Sequence, residues 1–148
     1  MSDLREIYQE VIFDHYRTPR NCRALAGANH KAEGYNPLCG DKVVVYLKID
    51  DGVIRDASFE GVGCAISTAA ASLMTEALKG RRIGEVEDLF GEFHDMVTGK
   101  ETGAHPRLGK LEVLAGVREF PTRVKCATLA WHAVLAALKD QREPVSTE

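Results

Sequence analysis

The chain has 148 residues, 45% of them apolar and 28% charged, with 19 Lys and Arg against 22 Asp and Glu for a formal net charge of −3. That length suits one domain, expected to span residues 1–148, which buries about two-thirds of its unfolded surface and needs no metal to make up for a missing core. A mixed, mildly acidic chain without blocks of like charge argues against nucleic-acid and membrane-surface partners, and no apolar run approaches the roughly 20 residues of a spanning helix.

The opening Met1–Glu6 is charged and lacks the apolar core of a secretory signal, so a soluble, cytoplasmic protein is expected. In a reducing compartment its four cysteines read as metal ligands, reactive thiols or buried bystanders rather than as a disulfide frame. Leu4, Ile7, Tyr8, Val11 and Ile12 recur at helical spacing behind Ser2 or Asp3 as cap, predicting an amphipathic helix over about 3–17 that Pro19 ends. Loop follows, with a short edge strand over Ala32 to Tyr35. Val43, Val45, Leu47 and Ile49 alternate from Lys42 onward and predict a strand, Asp50-Asp51-Gly52 a hairpin turn, and Val53 to Phe59 the returning strand.

Gly61-Val62-Gly63 then turns the chain into a helix opened by Cys64, carried by Ile66, Ala69, Ala70, Leu73, Met74, Ala77 and Leu78 and stopped at Gly80. Ile83, Val86, Leu89, Phe90, Phe93, Met96 and Val97 predict a further helix, Thr98 to Gly109 a long excursion, and Leu111 to Val117 a short helix. Pro121 interrupts before a last helix from Thr122 or Arg123 to Lys139, and a frayed tail is expected from Arg142. A helix, an antiparallel meander and several more helices predict an α+β fold, a small antiparallel β-sheet with helices packed on one face.

The chemistry centres on Asn36-Pro37-Leu38-Cys39-Gly40-Asp41, a thiol and a carboxylate on a turn bracketed by proline and glycine. Two ligands do not close a metal site, since zinc takes three protein ligands when catalytic and four when structural. In an antiparallel hairpin the start of one strand lies beside the end of the next, which brings Cys64 to the Cys39 and Asp41 loop. Cys64 and Cys126 both fall near predicted helix N-termini, where partial positive charge favours thiolate, with Arg123 and Lys125 adding charge. Three sulfurs and an oxygen suit zinc or an iron–sulfur cluster, not calcium or magnesium.

Each residue also has a plainer reading. A lone cysteine is more often a small buried hydrophobe than a ligand, Asp41 can be a turn-former, and Cys64 can be there for its size beside alanines. Cys22 has no companion ligand and is read as buried or loop-exposed. His132, six residues beyond Cys126, sits about 240° around the helix axis from it and is assigned to core or surface. His105 is read as solvated, and His15, His30 and His94 carry no ligand pattern.

The blocks Asp14-His15-Tyr16, Pro19-Arg20-Asn21, Asn36-Pro37-Leu38-Cys39-Gly40-Asp41, Phe59-Glu60-Gly61-Val62-Gly63-Cys64-Ala65-Ile66-Ser67 and Arg123-Val124-Lys125-Cys126-Ala127-Thr128-Leu129-Ala130-Trp131 together resemble the U-type iron–sulfur cluster assembly proteins, the IscU/SufU and NifU N-terminal-domain family. They occur in the family's order over nearly the whole chain, and the SufU branch is resembled more than the IscU branch. The resemblance implies a SufE/IscU-like α+β fold, metal ligands at Cys39, Asp41, Cys64 and Cys126, and a pyridoxal-phosphate-dependent cysteine desulfurase as partner.

For a SufU-like member it implies bound Zn2+ and a role as sulfur acceptor and relay, a zinc-dependent sulfurtransferase, with Cys39 as acceptor and Arg123 in support. For an IscU-like member it implies a non-enzymatic scaffold on which a two-iron two-sulfur cluster forms and passes to downstream apo-proteins. Two departures from the IscU pattern favour the relay. The interval from Cys64 to Cys126 is longer, with Thr98 to Gly109 in the excess, and Lys125 stands where IscU-like proteins carry histidine. The chaperone motif is replaced by Glu119-Phe120-Pro121-Thr122-Arg123-Val124-Lys125, which weighs against a dedicated chaperone partner.

Overall fold

The computed structural model describes residues 2–37, 40–99, 106–139 and 145–146. Helix α1 (Ser2–Arg17) leads into strands β1 (His30–Asn36), β2 (Asp41–Asp50) and β3 (Val53–Val62), then helices α2 (Ala65–Leu78) and α3 (Ile83–Thr98). A 3-10 segment (Pro106–Glu119), helix α4 (Pro121–Leu138) and strand β4 (Val145–Ser146) follow. The sheet order is β3-β2-β1-β4, antiparallel except that β4 runs parallel to β1.

The β2–β3 hairpin closes through Asp51 and Gly52, both at positive φ (52° and 72°), the backbone of a type I′ turn. Val43, Val45 and Leu47 on β2, with Ile54, Ala57 and Phe59 on β3, form the buried face. Helix α4 crosses β1 and β2, α2 covers β3, and α1 packs on α2. Alanines at 69, 70, 71, 127, 130, 133, 136 and 137 are all buried and let α2 and α4 approach the sheet and one another, with Trp131 fully enclosed between them and α3.

Several boundaries move from those expected. Pro121 is the first residue of α4, where its missing N–H costs nothing because the first turn has no intrahelical partner for it. Of the excursion at 98–109, Thr98 ends α3, Gly99 caps it at φ 78°, and Pro106 already opens the 3-10 segment, which kinks at Gly109. Residues 100–105, His105 among them, lie outside the described residues. The short helix at 111–117 is part of this 3-10 segment rather than α-helix. Val145 and Ser146, placed in the tail, pair with Gly34 and Tyr35, so β1 is flanked on both sides at that point instead of being a bare edge.

Candidate metal centre

Asp41 is the first residue of β2 and stands opposite Asn36, the last of β1. Strand alternation puts both on the buried face, and both are almost fully enclosed, Asn36 at 0% and Asp41 at 1% exposure. The Gly40 N–H donates to the Asn36 carbonyl at 2.9 Å, with Gly40 at φ 71°, a backbone conformation that side chains other than glycine's rarely adopt.

Cys64 caps α2 with extended backbone (φ −72°, ψ 171°), and its sulfur accepts the Ser67 N–H at 3.4 Å. The Cys64 N–H in turn donates to Asp41 Oδ1 at 2.9 Å, joining the start of β2 to the start of α2. Both glycines ahead of it are required by packing. A Cβ on Gly61 would sit 2.0 Å from the Lys42 carbonyl oxygen, and one on Gly63 would sit 2.8 Å from Asp41 Oδ1. Cys126 is the sixth residue of α4, one or two residues further in than expected, and is buried. The Asn36 amide Nδ2 donates to its sulfur at 3.6 Å.

The ligand atoms of Asp41, Cys64 and Cys126 lie within 4.8 Å of one another, the separation at which one ion can bridge them. A Cys126 S–H donated to the Cys64 sulfur, with help from the Ser67 N–H, pulls the Cys64 thiol down to about 6 against the opposing effects of burial and of the Asp41 charge. Asp41 Oδ2 is buried with no hydrogen-bond partner among the described residues. A charged carboxylate oxygen enclosed beside two cysteine sulfurs, without a cation, is costly to bury. A thiophilic divalent ion removes that cost, and the sulfur-rich donor set fits it.

Cys39 lies outside the described residues, between the described Pro37 and Gly40. Arg123 is exposed on the first turn of α4 and lines a groove of about 710 Å³ with Tyr8, Ile66 and Phe120. Cys22 is exposed, as one of its two readings had it. His132 is half-buried, edge-on to Phe90 at 5.3 Å. Two residues that matter were not singled out from the sequence. Asn36 enters the sequence reading only as the first residue of the Asn36–Asp41 block, although a polar residue at an inward strand position is a usable signal. His15 is fully buried, its Nδ1 2.7 Å from Ser72 Oγ, and its place on the apolar stripe of α1 after Val11 and Ile12 is the signal for that burial.

Residues 7–146 match the family model for the NifU-like N-terminal domain. The chain is 43% identical over 133 residues to the zinc-dependent sulfurtransferase SufU of Bacillus subtilis, covering 90% of each. It is 42% identical to the iron–sulfur cluster assembly scaffold protein IscU of Streptococcus pyogenes serotype M1, covering 94% of this chain and 87% of that protein. Among solved structures, the one described as a SUF-system iron–sulfur cluster assembly scaffold protein (FiSufU) from Fervidobacterium islandicum AW-1 superposes with a TM-score of 0.83 at 34% identity, over 90% of this chain and 97% of that one. Among the described residues, no helix is long and apolar enough to cross a membrane.

Proposed function

The chain belongs to the NifU-like N-terminal domain family of iron–sulfur cluster assembly proteins, and from that premise we propose that it acts as a zinc-bound sulfur acceptor and relay for a pyridoxal-phosphate-dependent cysteine desulfurase. The observation that carries this reading is the buried convergence of Asp41, Cys64 and Cys126 around a carboxylate oxygen that has no partner of its own. Cys39, one residue from Gly40 and two from Asp41, supplies the remaining thiolate. A bound zinc ion stabilises thiolate sulfur and holds it ready at neutral pH.

The chain's own residues do the rest. The Cys39 thiolate attacks the outer sulfur of the desulfurase persulfide, forming a Cys39 S–S bond as the bond to the desulfurase sulfur breaks and that cysteine leaves as thiolate. The exchange conserves electrons and needs no outside oxidant. Asp41, Cys64 and Cys126 keep the centre assembled, and Arg123, three residues before Cys126 on α4, supports the anionic sulfur. Similarity to the sulfurtransferase SufU supports the relay.

The second reading, a scaffold for a two-iron two-sulfur cluster passed on to apo-proteins, draws on the similarity to IscU scaffold proteins. Labelled-sulfur transfer from a desulfurase, measured with metal content and visible absorbance on freshly purified and on anaerobically reconstituted protein, separates the two. A colourless one-zinc protein whose Cys39→Ala variant takes no sulfur supports the relay. Normal sulfur uptake by Cys39→Ala, or a brown protein that transfers its cluster, overturns it.

A further inference from the structure

Asn36 lies at the one point where the metal-binding elements meet. Its carbonyl receives the Gly40 N–H, its strand partner is Asp41, and its side-chain amide reaches across to α4 and donates to Cys126 Sγ at 3.6 Å. It is fully buried. A buried primary amide is costly unless its donors are used, and a neutral thiol is only a weak acceptor. The same donor aimed at a metal-bound thiolate makes a charge-assisted bond, which is shorter and stronger. With a metal ion held at Cys126, the amide is placed to donate to the ligating sulfur.

We propose that Asn36 is a positioning residue of the metal centre, whose amide N–H orients Cys126 and draws charge from its sulfur while its carbonyl accepts the Gly40 N–H. This rests on the metal-centre reading above. Asn36 touches no reacting atom in this role; it acts through Cys126. Groups that donate to a ligand in this way fix its orientation and tune the bound ion, and their loss weakens metal binding by about 10- to 100-fold.

Asn36→Leu and Asn36→Asp test it, because both keep the branched shape of the side chain while removing the donor, and Asp adds a negative charge. The full chain is loaded with Co2+, the sulfur-to-cobalt charge-transfer bands are recorded, and Zn2+ affinity is measured by chelator competition, with circular dichroism confirming the fold. Asn36→Leu is expected to bind Zn2+ about 10- to 100-fold more weakly and to shift the cobalt charge-transfer band to lower energy, since an undonated thiolate gives up its electrons more easily. Asn36→Asp should be weaker still. If Asn36 only fills space, both variants keep wild-type affinity and band position, and that result in either folded variant overturns the proposal. Wild-type protein that binds no cobalt through sulfur overturns the metal-centre reading and this one together, so the two failures are distinguishable.

Discussion

Helix α2 carries a buried polar cluster near each end, and the two differ in what they lack. At its C-terminal half, His15 of α1 bonds Ser72 Oγ at 2.7 Å, and the Arg20 N–H donates to the same oxygen at 2.8 Å. His15 Nε2 has no hydrogen bond but lies 3.7 Å from the Glu76 carboxylate, which Lys110 approaches at 3.4 Å. At the N-terminal end, Asp41 Oδ2 lies buried beside Cys64 and Cys126. The missing partner belongs to a neutral imidazole in one cluster and to a carboxylate in the other. An unused neutral group costs about 1–3 kcal/mol, whereas an enclosed unpaired carboxylate costs several. The fold tolerates the first as a structural joint, and the second calls for a cation.

Removing ligands from the N-terminal cluster breaks this contrast most severely. Asp41→Ala and Cys126→Ala should lose stoichiometric zinc, read by metal analysis after gel filtration. Stripping the ion from wild type should lower thermal stability by an amount set by its occupancy. At 1,000 times Kd that is about 4 kcal/mol, or a fall in Tm of roughly 8–16 °C for a chain of this size.

Gly63→Ala is next. Its new Cβ would meet Asp41 Oδ1 at 2.8 Å, so the carboxylate must move. Zinc affinity should drop by about tenfold or more, the cost of misplacing a ligand, while helical content stays the same. A Gly63→Ala protein with wild-type zinc affinity would show that Asp41 does not ligate from this position.

The other cluster sharpens the comparison through pH. His15→Ala should destabilise the chain by about 2 kcal/mol, through loss of packing and of one of the two hydrogen bonds at Ser72 Oγ, with zinc stoichiometry unchanged. Burial holds the His15 imidazole below its ordinary 6.5, with Arg20 and Lys110 pushing the same way and Glu76 and Asp14 opposing. The unfolded chain therefore takes up this proton more readily than the folded one. The stability the site contributes is complete above pH 6.5 and declines as pH falls below it. His132, lowered by burial and by His94, acts in the same direction. Urea midpoints at pH 7.5 and 5.5 should differ more for wild type than for His15→Ala; equal differences would remove His15 from the account. Smallest of all, Cys22→Ser should leave zinc content and urea midpoint unchanged within error, because that thiol is exposed.

How much of this was readable in the chain follows from how far apart the partners are. Asp41 and Cys64 were brought together by a local rule, the Asp50-Asp51-Gly52 turn making β2 and β3 antiparallel neighbours, but the turn alone would pair Lys42 with Gly61, and a β-bulge between Lys48 and Ile49 moves it to Val62. The glycines ahead of Cys64 were seen as turn-makers, but their actual role is to let β2 and Asp41 come close. His15 falls on the apolar stripe of α1, four residues after Val11 and three after Ile12, so its burial follows from periodicity, but its partner Ser72, 57 positions away, does not. The β4 pairing was hidden for a related reason, since two residues carry no alternation to detect.

The chain alone was enough for the class of fold and for the order of its elements up to α4, and it pointed to Asp41, Cys64 and Cys126 as candidate donors, because propensity, alternation and turn chemistry act between near neighbours. Only the tertiary structure decided that α4 lays Cys126 against the Asn36 and Asp41 ends of β1 and β2, that one carboxylate oxygen is left without a partner, and that Asn36 faces the third sulfur. Those are consequences of burial and of the angle at which a helix crosses a sheet, which no short stretch of chain contains.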